Sequence, residues 1–303
     1  MEEGESILIP VPALFSFGEC MWFLNRNYDD CLHEISNGSI YKALEIDRQL
    51  VLIRITEQGS FLEVTLLKGT VGQQGSDFLT LYIKEWFDME TNIQPFYDLL
   101  HKDSRLDYMT EAFKGLRLVS IANLYETICW SIIGQQINLS FAYKVKRALV
   151  ERFGKCIDHD GKSYYVFPEP EVLAEVSKEE LKNIQFSNQK ADYMIGISKA
   201  FASGELSREM VLTLPDFASK MKLLTSHKGI GVWTANYALM KSVREPESIP
   251  HGDIGLLNAL ANHNIIQDRK ETDKIAALFS LYKGWESYLV FYLWRSLTVK
   301  ESL

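Results

Sequence analysis

No pair of cysteines in this 303-residue chain stands in a C-x-x-C arrangement: Cys20, Cys31, Cys129 and Cys156 are far apart. That spacing argues against a zinc knuckle or a disulfide framework and favours reduced thiols. Excess positive charge is also missing. The formal net charge is −8, so whole-surface attraction to a polyanion is excluded, because phosphate affinity comes from clustered Lys and Arg. A local basic face is still allowed, and Lys144, Lys146, Arg147, Arg152 and Lys155 crowd into one segment. No apolar run approaches membrane-spanning length, and the first residues carry acids (Glu2, Glu3, Glu5) instead of a basic start to a leader. The expectation is a protein of the cytoplasm with no membrane partner. Internal repeats, low-complexity tracts, nucleotide loops, metal-ligand clusters and nucleophile–His–acid sets are absent too, which leaves little support for a helical metabolic enzyme.

What is present divides by period. With 47% hydrophobic residues the chain can bury a sizeable core. In the first hundred or so residues Val51, Ile53 and Ile55 alternate with Leu52, Arg54 and Thr56, and Glu63-Val64-Thr65-Leu66 repeats the habit. The turn signals Asn37-Gly38 and Gln58-Gly59 bracket these runs, as hairpins require. Met21, Leu24, Tyr28, Cys31, Leu32 and Ile35 fall near helical spacing and predict a helix over 19–35. From about Leu118 the period is helical. Leu124, Ile128 and Ile132 form one stripe, and Leu139, Ala142, Val145, Leu149 and Phe153 a second that ends at Gly154. Ser177-x-x-Glu180 reads as a capping box, 161–170 as a loop between helices, and Leu214-Pro215-Asp216 as the start of another helix. The expected fold is therefore mostly α with an N-terminal α+β domain over 1–115 and a helical region over 116–303.

The densest signal is Leu224-Thr225-Ser226-His227-Lys228-Gly229-Ile230-Gly231-Val232-Trp233-Thr234-Ala235, followed by Ile249-Pro250-His251-Gly252-Asp253. Two helical patterns meet at Gly-Ile-Gly. Glycine permits φ > 0 and close backbone approach, and the N-terminal amides of the second helix would favour an anion, with Lys228 adding a cation. The plainer reading is an ordinary αα-hairpin with a glycine turn. Asp253 can likewise be a simple N-cap, a role Asp fills well, or a cap whose carboxylate also does chemistry. Trp233 and Tyr237 lie four apart on one helix face, either as core or as a pocket wall. Trp285 and Trp294 read more simply as core.

Gly229-Ile230-Gly231-Val232-Trp233-Thr234-Ala235-Asn236-Tyr237, the downstream Pro250…Asp253, and Glu126…Ile133-Gly134-Gln135-Gln136-Ile137 together resemble the helix-hairpin-helix (HhH-GPD) DNA glycosylase superfamily, in its DNA-3-methyladenine glycosylase II (AlkA-like) branch. The resemblance covers about 115–295 well and the N-terminal domain more loosely. It implies two helical subdomains around a cleft. It also implies a monomeric base-excision-repair enzyme that flips alkylated purines such as 3-methyladenine out of double-stranded DNA, near the nucleoid, and hydrolyses the N-glycosidic bond with Asp253. Trp233, Tyr237 and Tyr282 would then form the base pocket, and Lys228, Gly229, Gly231, Gln135 and Gln136 would contact DNA, with Gln136 at the wedge position. Trp233 occupies the place of the lysine nucleophile of bifunctional members, so no lyase activity is implied. His227-Lys228 replaces the usual Leu-Pro or Phe-Pro before the hairpin. No resident metal or cofactor is implied and no iron–sulfur cluster; in this superfamily the hairpin carbonyls often hold a monovalent cation, which these residues neither require nor exclude. Two other readings stand beside it: a glycosylase for oxidised or deaminated bases, and a catalytically silent binder of damaged DNA.

Overall fold

The computed structural model describes residues 1–25 and 30–298. Strands β1 (Ser6–Pro10), β2 (Glu34–Ser36), β3 (Ser39–Ile46), β4 (Gln49–Gln58) and β5 (Phe61–Lys68) form an antiparallel sheet in the order β1-β5-β4-β3-β2. Both central residues have positive φ at Asn37-Gly38 and at Asp47-Arg48, the handedness that matches the twist of paired strands. Val51, Ile53 and Ile55 turn one face into the core, as their alternation predicts. Leu52 on the opposite face is fully buried as well. Its cover is a second hairpin, β6 (Lys155–His159) and β7 (Lys162–Val166), which packs Tyr164 against Leu52 and Ala43 and stacks it on Tyr41 at 6.3 Å. The 161–170 segment is thus partly strand, because Asp160-Gly161 makes another positive-φ turn and the pair finds a sheet to cover.

The helix expected over 19–35 is shorter. It runs Phe17–Leu24, capped by Ser16 through the Glu19 N–H, and Ile35 belongs to β2. Tyr28 lies outside the described residues. The apolar spacing that suggested one helix joins a helix face to the inward side of a strand.

Helices follow the caps: Asn123 opens Leu124–Gly134, Asn138 opens Leu139–Phe153, the Ser177–Glu180 capping box opens Lys178–Asn183, and Asp216 opens Phe217–Thr225. The helices do not form one unit. Residues of 124–243 surround their own core (Ile128, Leu149, Met194, Leu224, Ala235). The C-terminal helices Ile254–Asn262, Thr272–Ser280 and Glu286–Ser296 instead join the core of the sheet. A boundary at 115/116 therefore does not separate two cores, because the chain returns at its end to complete the first. Tyr292 binds this return with hydroxyl contacts to Tyr97 (3.0 Å) and to the Leu116 carbonyl (2.9 Å). Among the described residues, no helix is long and apolar enough to cross a membrane.

Candidate active site and DNA-binding hairpin

The helices Phe217–Thr225 and Val232–Ala238 meet at Gly229-Ile230-Gly231. Ile230 is buried in the helical core and its N–H bonds the His227 carbonyl at 3.1 Å, which closes the turn. The two glycines have different reasons. Gly229 has φ +98° and sits on the Tyr193 ring, where a Cβ would come within 2.6 Å of Cγ. Gly231 has φ −84° and open space around it, so its lack of a side chain leaves the following helix N-terminus uncovered. Lys228 is exposed beside it. The side chain of Gln135, at the end of Leu124–Gly134, donates to the Gly229 carbonyl at 3.0 Å, so it braces the hairpin. Gln136 is exposed with φ +56°, a conformation uncommon outside glycine. Gln135, Gln136, Lys190, Tyr193, Gly229 and Gly231 all line one recess of about 370 Å³.

The helix after the hairpin passes into a single π turn, Leu239–Val243, a feature often found at functional sites. Asn236, buried in this run, accepts the Ile249 N–H at 3.1 Å through Oδ1 while Nδ2 donates to the Val232 carbonyl at 2.9 Å. One amide thereby ties the acid-bearing loop 249–253 to the hairpin helix. Asp253 caps Ile254–Asn262: its Oδ1 accepts from the Leu256 N–H at 2.8 Å and from the Trp294 indole N–H at 2.9 Å. Asp253 is half-buried and, among the described residues, has no ion pair. Its second carboxylate oxygen is left for another partner. Gly255 makes the arrangement fit, since a Cβ there would lie 3.1 Å from Asp253 Oδ1 and 3.4 Å from the Trp294 ring.

Trp233 and Tyr237 stack at 5.3 Å with 16° between planes, and Tyr237 meets Trp294 at 6.3 Å. A continuous aromatic wall runs from the hairpin helix to the acid. Tyr282 is not part of it: the residue is 1% exposed, packed 6.2 Å from Phe96 in the core of the sheet. Trp294, which reads in the sequence as core, takes the place expected for Tyr282. Its distance of 41 residues from Asp253 left no spacing signal that could have found it, and the same holds for Asn236 and Gly255, whose roles depend on a loop closing. Trp285 does pack as core, 5.9 Å from Phe96.

Four of the five cations crowded around the Leu139–Phe153 helix are paired with acids, and only Lys144 is exposed without an ion pair among the described residues. Lys146 is buried and pairs with Asp30 at 3.0 Å and Glu126 at 3.8 Å, while Arg147 pairs with Glu151 and Lys155 with Glu45. Burial would raise the Asp30 carboxyl, but the Lys146 ammonium with His33 holds it well below the usual range. For Glu126 burial prevails and the carboxyl is raised. Among the described residues, no group of three or more His, Cys, Asp or Glu is placed to hold a metal ion.

Residues 129–283 match the family model described as HhH-GPD superfamily base excision DNA repair protein, and 15–128 match that of the 8-oxoguanine DNA glycosylase N-terminal domain. A DNA-3-methyladenine glycosylase of Bacillus subtilis (strain 168) is 37% identical over 98% of both chains. The chain belongs to the HhH-GPD superfamily. It is a DNA glycosylase of that superfamily, a base-excision DNA repair protein. Two solved structures share the glycosylase fold. One is a 3-methyladenine DNA-glycosylase from Archaeoglobus fulgidus (TM-score 0.80, 21% identity, 96% of this chain and 97% of that one). The other is an 8-oxoguanine glycosylase/lyase of Clostridium acetobutylicum (TM-score 0.72, 19% identity, 97% and 96%).

Proposed function

We propose that this glycosylase is monofunctional and hydrolyses the N-glycosidic bond of alkylated purines such as 3-methyladenine in double-stranded DNA, with the target nucleotide flipped against the aromatic wall. The observation that carries this reading is the run Trp233–Tyr237–Trp294 ending on a carboxylate with one oxygen uncommitted among the described residues. An N-alkylated purine in DNA is cationic, and each ring face attracts such a base by about 0.5–2 kcal/mol. Cleavage leaves the C1′–N electron pair on the base, which departs neutral. The oxocarbenium charge that develops at C1′ is stabilised by the Asp253 carboxylate, and water adds to C1′ and loses a proton. The 37% identity to a DNA-3-methyladenine glycosylase over nearly the whole chain supports the substrate class. On the family resemblance Trp233 takes the place of the lysine of bifunctional members, and an indole cannot form a Schiff base with the sugar. The recess at Gln136 and the hairpin, with Lys228 beside it, would hold the backbone, and Gln136 would enter the gap that the base leaves in the stack.

The test is base release from methylated DNA. The protein should free 3-methyladenine and leave abasic sites without strand scission. Asp253→Asn should lower release by about a hundredfold or more with duplex affinity kept. Full turnover in that variant refutes the role of the acid. A second reading has its own support, because the N-terminal residues match an 8-oxoguanine glycosylase domain. An oxidised purine is neutral and gains less from the aromatic wall; comparison of release across methylated, oxidised and deaminated duplexes separates the two.

A further inference from the structure

A larger cavity, about 690 Å³, opens between the N-terminal sheet and the helical subdomain. Tyr82 and Trp86 line it from one side, Trp130 and Tyr143 from the other. Tyr237 lines it too, whereas Trp233, Trp294 and Asp253 do not. Tyr237 is therefore shared between the wall that ends at Asp253 and a separate cleft. Phe78 and Leu81 stand at this cleft 45% and 59% exposed.

Charge decides what can enter. Inside, Lys146 is balanced by Asp30 and Glu126, and its ammonium lies 5.4 Å from the Trp130 ring. Of the remaining charges, the acids Glu45, Glu85, Glu169 and Glu209 outnumber Lys42 and Arg208, so the cleft disfavours a phosphate backbone. It is not a track for the duplex. A flat, uncharged heteroaromatic molecule meets no such barrier, and the volume falls within the roughly 300–1,000 Å³ typical of small-molecule sites. The proposed reaction makes one such molecule. Heterolysis turns a cationic base into a neutral one, which removes the cation–π attraction that held it at Trp233 and Tyr237.

We propose that this cleft is a second ligand site, which holds the freed N-alkylpurine across Tyr237 from Asp253, with Trp130 as a stacking surface. The site rests on the alkylpurine reading above.

Equilibrium dialysis with radiolabelled 3-methyladenine tests the site on protein saturated with a duplex containing a stable abasic-site analogue. Binding of the free base should persist under saturation. Trp130→Ala should weaken it at least about fivefold, the low end for loss of one base–aromatic stack. Leu81→Glu, on an exposed position with little risk to folding, should weaken it in the same direction and leave the single-turnover release rate unchanged. Loss of binding when the duplex is added, or unchanged affinity in both variants, overturns the site. If alkylpurine is released but the cleft binds none, only the site falls; if none is released, the reaction on which it rests falls.

Discussion

At the scale of single residues, the hairpin glycines make opposite predictions. Gly229 combines φ +98° with a ring contact that leaves no room for a Cβ. Gly229→Ala should cost roughly 1–3 kcal/mol of stability and weaken duplex binding, as denaturant unfolding and a binding titration would record. Gly231→Ala should leave stability within about 1 kcal/mol, because its φ is ordinary and nothing lies within 4 Å. In the proposed reaction Trp294 would act through one N–H. Trp294→Phe keeps a ring near Tyr237 but removes the donor to Asp253 Oδ1. A hydrogen bond to a charged group contributes about 1.5–3 kcal/mol, so single-turnover release should fall about tenfold or more. Duplex affinity should hold; equal losses in both would mean that Trp294 only supports the fold.

At the scale of elements, the contact between the Leu139–Phe153 helix, the Leu124–Gly134 helix and the segment at Asp30 depends on one buried ammonium. Lys146→Met should destabilise the protein by roughly 3–5 kcal/mol near neutral pH, because Asp30 and Glu126 lose their counterion. The pH dependence has a definite sign. In the natural protein the folded Asp30 value is depressed, so its contribution is present above the ordinary carboxyl range and is lost as pH falls through the folded value. In the variant only His33 and the Leu32 N–H oppose burial, so that value rises. The gap between the two proteins should therefore narrow as pH falls from neutrality through the variant's raised value and on below the ordinary carboxyl value of about 4, which unfolding curves at several pH values would show. The helices Leu124–Gly134, Leu139–Phe153, Lys178–Asn183 and Phe217–Thr225 were legible because each opens on a side-chain cap. Periodicity failed over 19–35, where helix and strand share apolar spacing, and over 161–170, where a hairpin is short and polar on one side.

At the scale of the whole molecule, chain order and core membership disagree. Phe96 and Tyr97 contact Tyr292, and Asp88 accepts from the Tyr288 hydroxyl. A fragment of residues 1–115 lacks all the C-terminal partners, so it should show no fixed near-ultraviolet signal from its aromatic side chains and no cooperative thermal transition. The full chain should show both. Independent folding of that fragment would mean that the sheet needs none of the return helices.

The local vocabulary of this glycosylase was determined by sequence alone: caps, the Gly-Ile-Gly turn and the acid 22 residues beyond Gly231. Each depends on neighbours within a few residues or on a motif, and such signals survive without coordinates. Tertiary structure decided which aromatics face the acid, which lysines remain available and which helices complete which core. Those outcomes depend on contacts between residues tens to hundreds of positions apart, where burial makes Lys146, one of a run of basic residues, the counterion of Asp30, and where the fold puts Trp294, not Tyr282, against Asp253.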